Sequence, residues 1–207
     1  MKYNILVFPG GTEIGLEIHK GLSQCKDIEI FSAGSDIANH APYVFNQHDV
    51  VPAVSDPSWI DSLNKVVIKH GIDYIFPAHD DVVLALAQNA NKVKAKIVSS
   101  PLQTCLVTRS KSKTYDLMSD VLPTPDLYKN QEAMEYPVFV KPDKGQGSQH
   151  THLVSNSDQL NELLKEDKED RSDYPFVEEP FTFEEESVES VEMELKNLVL
   201  FSMLLNI

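Results

Sequence analysis

The sequence predicts an α/β protein: a parallel sheet with helices on both faces, followed by a smaller α+β region built on a glycine-rich hairpin. Three observations predict it. Up to about residue 105, short β-type runs alternate with amphipathic stretches, the pattern of a parallel sheet. Over residues 106–112 that rhythm changes. From residue 136 a strand-like run ends at Lys141 and turns at once into a loop holding Gly145 and Gly147.

Residues 3–8 form the first β-type run, and Gly10 and Gly11 lead from it into a helical pattern over 13–23. Residues 28–32 read as a second strand. Residues 59–70 read as a helix, because Trp59, Ile60, Leu63, Val66 and Val67 recur at helical spacing and Gly71 stops it. A strand over 73–77, a helix over 81–90 and a strand over 96–99 complete the first region. The second opens with a helix over 110–119, stopped by Pro123, Thr124 and Pro125. Strands over 136–141 and 152–154 flank the loop 142–150, which makes a hairpin cover rather than a helix-capped phosphate loop. Asp158 starts a further helix by capping its first amides, and residues 174–178 read as a strand. The expected domains are therefore 1–105 and 106–207.

With 207 residues, 42% of them hydrophobic, the chain can bury a real core. No run of about 18 apolar residues is present to span a membrane. Residues 1–9 pass straight into a strand-like segment, without the apolar stretch and cleavage site of a secretory signal. Cys25 and Cys105 are too few and too far apart for a disulfide framework or a zinc site. Together these features predict a cytoplasmic protein with free thiols. The net charge of -14 excludes the phosphate backbone of nucleic acids as a partner. Much of that charge lies in residues 166–194, where 13 acids face only Lys168 and Arg171. Such a run reads as a solubilising surface or a loose acidic segment.

Two loops of the first region could carry chemistry. Pro9, Gly10, Gly11, Thr12 and Gly15 stand between a strand and a helix, where a dinucleotide fold places its phosphate turn. The spacing differs from G-x-G-x-x-G, and Phe31, Ser32 and Ala33 stand where an acid would hold ribose hydroxyls. The readings are glycines that let helix and strand pack closely, a dinucleotide site, or a small acyl or amine substrate at this sheet edge. His79, Asp80 and Asp81 follow the strand 73–77. A His beside two carboxylates could bind metal or move protons, could contact substrate, or could simply include the Asp that caps the next helix.

The strongest signal is the hairpin. A β-branched strand delivers Lys141 at its end, and Pro142, Asp143, Lys144, Gly145, Gln146, Gly147 and Ser148 follow. A polyphosphate needs a cation and backbone N–H groups that approach closely, which glycine permits. The lysine ammonium supplies a compact point charge.

This pattern resembles the glycine-rich phosphate loop of the ATP-grasp ligases, particularly the large chain of carbamoyl-phosphate synthase. Ser110-Lys111-Ser112-Lys113-Thr114-Tyr115, followed by Leu122-Pro123-Thr124-Pro125, is similar to the helix that opens their ATP domain. The resemblance implies that Lys111 and Lys141 touch ATP phosphates, with loop contacts from Gly145, Gly147 and Ser148. Phe176-Val177-Glu178-Glu179-Pro180-Phe181 looks like the strand and hinge that receive adenine. There the Glu179 carbonyl would accept from the amino group and the Phe181 N–H would donate to the ring. Glu185, or its neighbour Glu186, matches the acid that binds the ribose. The upstream region, including Phe76-Pro77-Ala78-His79-Asp80-Asp81, resembles the Rossmann-like domain that precedes ATP-grasp.

Two departures qualify the likeness. His150 occupies a position that the family usually gives to glycine. The family also continues beyond the equivalent of Ile207, where a Glu and then a Glu-x-Asn pair hold magnesium. The expectation is a Rossmann-like domain followed by a partial ATP-grasp domain from a truncated or frame-shifted product. The parent chemistry is ATP-dependent activation of a small carboxylate to an acyl phosphate, captured by an amine. ATP is the expected ligand; Mg2+ is expected for the family, with its ligands missing from this sequence. Self-association is left open. The alternatives are a catalytically incomplete nucleotide-binding or interaction module, and a dinucleotide oxidoreductase.

Overall fold

A computed structural model describes residues 2–125, 127–128, 134–145, 150–166 and 176–178. They form two compact units that divide after Cys105. Among the described residues no helix is long and apolar enough to cross a membrane.

The first unit is a five-stranded parallel sheet of order β3-β2-β1-β4-β5. Its strands are β1 (Tyr3–Phe8), β2 (Ile28–Gly34), β3 (His48–Val50), β4 (Tyr74–Pro77) and β5 (Lys96–Ile97). Helices α1 (Glu13–Leu22), α2 (Ala41–Val44), α3 (Trp59–His70) and α4 (Asp80–Gln88) join them, and α5 (Leu102–Thr108) follows. A parallel sheet must be covered on both faces, and β1 shows how. Leu6 and Phe8 enter a cluster with Phe31, Trp59, Leu63, Val67, Ile75 and Leu86, while Val7 enters another with Ala41, Phe45 and Ala78. The period-2 alternation of one strand thus feeds two cores.

The sequence reading misses α2, β3 and α5. Strand β3 is three residues long and has no apolar alternation, being only half-buried at His48 and Asp49. Parallel pairing recruits it: the Ser32 N–H donates to Gln47 O at 3.0 Å and the Val51 N–H to Gly34 O at 2.8 Å. Its strand character is tertiary in origin.

The second unit holds α6 (Lys111–Met118), α7 (Ser157–Glu166) and an antiparallel sheet of order β7-β6-β8. Strands β6 (Val138–Lys141) and β7 (His152–Val154) are the two arms of a hairpin, and β8 (Phe176–Glu178) pairs with the other edge of β6. Val138 and Val140 are buried with Val154 and Leu160. Phe139 and Lys141 therefore face the opposite way. The cap of α7 differs from expectation. Asn156, not Asp158, caps it: Asn156 Oδ1 accepts from the Gln159 N–H at 3.0 Å, and Gln159 Oε1 accepts from the Ser155 N–H at 2.9 Å. Gln159 thus reaches back one residue beyond the cap, to Ser155, rather than to the cap's own N–H as in a capping box, and Asp158 sits within the first turn.

Two glycines give opposite predictions. Gly71 ends α3 at φ +58°, and a Cβ there would meet only Asn4 Nδ2, at 3.8 Å. Gly71→Ala should therefore cost about 1 kcal/mol of backbone strain. Gly21 lies within α1 with nothing within 4 Å of its missing Cβ, so Gly21→Ala should add about 0.5–1 kcal/mol. Denaturant midpoints followed by the fluorescence of Trp59, the only tryptophan, read both changes in the first unit.

Candidate functional site

In the first unit the strand order reverses between β1 and β4, the place where α/β sheets open a crevice at their carboxyl ends. Thr12 bridges its two sides. The Thr12 hydroxyl lies 2.9 Å from Ala78 O and 3.3 Å from Pro9 O, and its oxygen accepts from the Gly15 N–H at 3.0 Å. The glycines around it make room for protein. A Cβ on Gly10 would stand 2.5 Å from Ser32 Cβ, and one on Gly11 2.5 Å from Asn39 Cγ. One on Gly15 would stand 2.8 Å from Gly10 O. The close approach these glycines permit is internal, which favours the packing reading over a dinucleotide turn.

The capping of α4 also differs from expectation. His79, rather than an Asp, is the cap: its Nδ1 accepts from the Asp81 N–H at 3.2 Å. Asp80 and Asp81 occupy the first turn, where the helix dipole favours negative charge. Among the described residues no group of three or more His, Cys, Asp or Glu side chains forms a metal-binding set. Near the other edge of the sheet, the buried Ser32 hydroxyl lies 2.8 Å from His48 Nδ1. Burial pushes the His48 imidazole below its ordinary value, against the pull of the Asp49 charge. Asp49 pairs with Lys69 Nζ and His70 Nε2, each at 2.6 Å. Burial raises the Asp49 carboxyl, but those two partners outweigh it and hold the carboxyl below its usual range. The cluster ties the end of α3 to β3.

In the second unit the residues of α6 and the hairpin meet directly. Ser110 is buried at 1% exposure and begins α6. Its hydroxyl donates to Asp143 Oδ2 at 2.7 Å, while the Ser112 N–H donates to Asp143 Oδ1 at 2.8 Å. A helix start leaves amides without partners and carries partial positive charge. The Asp143 carboxylate answers both. Burial pushes its carboxyl up, but the Ser112 amide, the hydroxyls of Ser110 and Ser112 and the nearby Lys144 outweigh that and hold it below its ordinary value.

Lys111 follows, and its ammonium folds back onto the start of the loop. Nζ donates to Pro142 O at 2.9 Å and to Asp143 O at 3.3 Å, and the Lys111 N–H also donates to Asp143 O, at 3.1 Å. Gly145 lies beside this ammonium: a Cβ there would be 3.7 Å from Lys111 Nζ and 2.9 Å from Pro142 Cγ. Lys141 approaches from β6. Its Nζ donates to the Tyr115 phenol oxygen at 2.9 Å, and lies 5.3 Å from the Tyr115 ring centre and 5.8 Å from that of Phe139. Tyr115 stands four residues after Lys111, on the same helix face.

The structure thus gathers Lys111, Lys141 and Gly145 around one face of α6. Glu178 is placed as a β8 residue whose backbone pairs with Phe139. Gly147, Ser148, Glu179, Phe181, Glu185 and Glu186 lie outside the described residues. His150 takes φ +58°, a left-handed conformation that glycine adopts more readily. Asp143 and Tyr115 are the residues that sequence reasoning passed over. The available signal was weak: two serines flanking Lys111, and an Asp just past a strand end.

The Asp143 clamp carries a pH prediction. Its folded-state value lies below the unfolded one, so its stabilisation is complete above the ordinary carboxylate value near about 4. It is lost as pH falls through the depressed value. Asp143→Ala should cost about 1–2 kcal/mol at neutral pH, the low end for hydrogen bonds to a charged group because the site is partly exposed. Circular dichroism during denaturation should show the gap between variant and parent closing below about pH 4.

No family model matches the sequence, and no curated protein matches it. Solved structures do. The biotin carboxylase domain of the Hydrogenobacter thermophilus 2-oxoglutarate carboxylase superposes with TM-score 0.65 at 13% identity, over 87% of this chain and 44% of its own. The N5-carboxyaminoimidazole synthetase of Staphylococcus aureus gives 0.65 at 16% identity, over 89% and 49%. The L-amino acid ligase of Bacillus licheniformis gives 0.65 at 16%, over 87% and 46%. This chain therefore spans less than half the length of each. These neighbours are ATP-grasp enzymes, and the likeness establishes that the chain has their α/β fold.

Proposed function

We propose that this chain binds ATP through its second unit, as the nucleotide-gripping part of an ATP-grasp ligase. The activity would be activation of a small carboxylate to an acyl phosphate for capture by an amine. One observation carries the reading: the ammonium of Lys111, which lies beside Gly145, and that of Lys141 come to the same face of α6. Backbone carbonyls accept from the Lys111 ammonium and a phenol from the Lys141 ammonium, all of them neutral groups. Neither contact neutralises the charge. Asp143 directs its carboxylate to the Ser110 hydroxyl and Ser112 amide and its backbone carbonyl to Lys111. Two cations at one helix face, one of them beside a glycine, fit a polyphosphate.

The neighbours support the same chemistry. The 2-oxoglutarate carboxylase domain was solved with MgADP and bicarbonate, and the Staphylococcus aureus synthetase with ADP. Within that group, the order of the Lys111 helix, the Gly145 loop and the Glu178 strand supports a carbamoyl-phosphate-synthase-like pattern. Glu179, Phe181 and Glu185 would then hold adenosine, and Gly147 and Ser148 would add loop contacts. Magnesium would offset phosphate charge, but the described residues supply no fitting ligand set. Cys25 and Cys105 are not joined in a disulfide, which fits a cytoplasmic setting. A second reading is nucleotide binding without turnover by this chain alone.

Calorimetric titration tests both. ATP should bind more tightly than NADH, and Lys111→Ala and Lys141→Ala should each weaken ATP at least tenfold, about 1.4 kcal/mol. Gly145→Val should do the same by placing carbon over the Lys111 ammonium. An unchanged affinity in Lys141→Ala would sink the nucleotide reading. Binding without phosphate release, across carboxylate and amine pairs, would select the second reading.

A further inference from the structure

We infer that Tyr115 is a positioning residue, whose phenol oxygen holds the Lys141 ammonium ready for a polyphosphate; the inference rests on the nucleotide reading above. A lysine at a strand end has four rotatable bonds, and its freedom is lost when it binds an anion. Here two constraints order it beforehand. The alternation of β6, with Val138 and Val140 buried, directs Lys141 to the opposite face. There the Tyr115 oxygen accepts from Nζ at 2.9 Å, and the ammonium lies within cation–π range of the Tyr115 and Phe139 rings.

The chemistry of the partner matters. A carboxylate at position 115 would fix the ammonium equally well, but would cancel the charge that an anion needs. A phenol is neutral in the physiological range, so this contact orders the cation without itself cancelling charge. Tyr115 is itself held, because its helix is anchored at Ser110 and Ser112 by Asp143. One helix therefore presents a cation of its own, Lys111, and one turn later steadies a second from the sheet. Order established before binding is a direct source of affinity.

The test is Tyr115→Phe, which keeps the ring and removes the acceptor. Calorimetry with ATP, and with adenosine as a ligand lacking phosphates, should show ATP weakened about fivefold and adenosine unchanged. In protein labelled with 15N-lysine, the Lys141 ammonium should give a signal protected from exchange in the parent and lost in Tyr115→Phe. Equal weakening of ATP and adenosine would reveal a merely structural role and overturn the inference, as would no weakening of either. A parent chain that fails to bind ATP would instead remove the nucleotide reading. The ammonium signal reports on the tether in either event, and its persistence in Tyr115→Phe would overturn the inference by itself.

Discussion

The second unit depends on one carboxylate. The start of α6 offers amides without intrahelical partners, and the hairpin offers an acid just beyond the end of β6. Their union at Asp143 joins two segments that are about thirty residues apart in sequence, through contacts of 2.7 and 2.8 Å. Once that joint is made, the helix has a fixed rotation over the hairpin. Lys111 must lie along residues 142 and 143, and Tyr115 must face the end of β6. Both lysines reach the same helix because a capping interaction aligns their supports.

The first unit solves a different problem. Its parallel sheet needs apolar cover on both faces and a polar edge where ligands can approach. The turn after β1 is locked by its own neighbours: Ser32 and Asn39 fill the space that side chains at residues 10 and 11 would take. Thr12 then ties that turn to Ala78 beyond β4. The carboxyl edge is thereby built as a stiff platform, with the caps of α1 and α4 side by side.

Much of this architecture was legible in the sequence. Where apolar spacing and an end signal coincide, as from Trp59 to Gly71, the helix lies as read. The hairpin followed from a β-branched run, two glycines and a return strand. What escaped depended on partners distant in sequence. His48, Asp49 and Val50 become a strand only because β2 lies alongside. His79 caps α4 although His is a weak capping type, and Asn156 takes the capping role expected of Asp158. The lysines were visible because a cation beside glycines has a chemical meaning in itself. Asp143 and Tyr115 were not, since their importance lies in what they touch.

The outer strands of the first sheet carry a consequence for the behaviour of the protein in solution. β3 has three residues and β5 only two, so each border exposes few backbone groups. A second chain laid along either border could form only a couple of ladder hydrogen bonds, too few to offset the ordering of its backbone. The sheet is thus poorly suited to templating fibrils, and the net charge of -14 adds mutual repulsion between molecules. In this sheet, brevity at the margins limits such pairing.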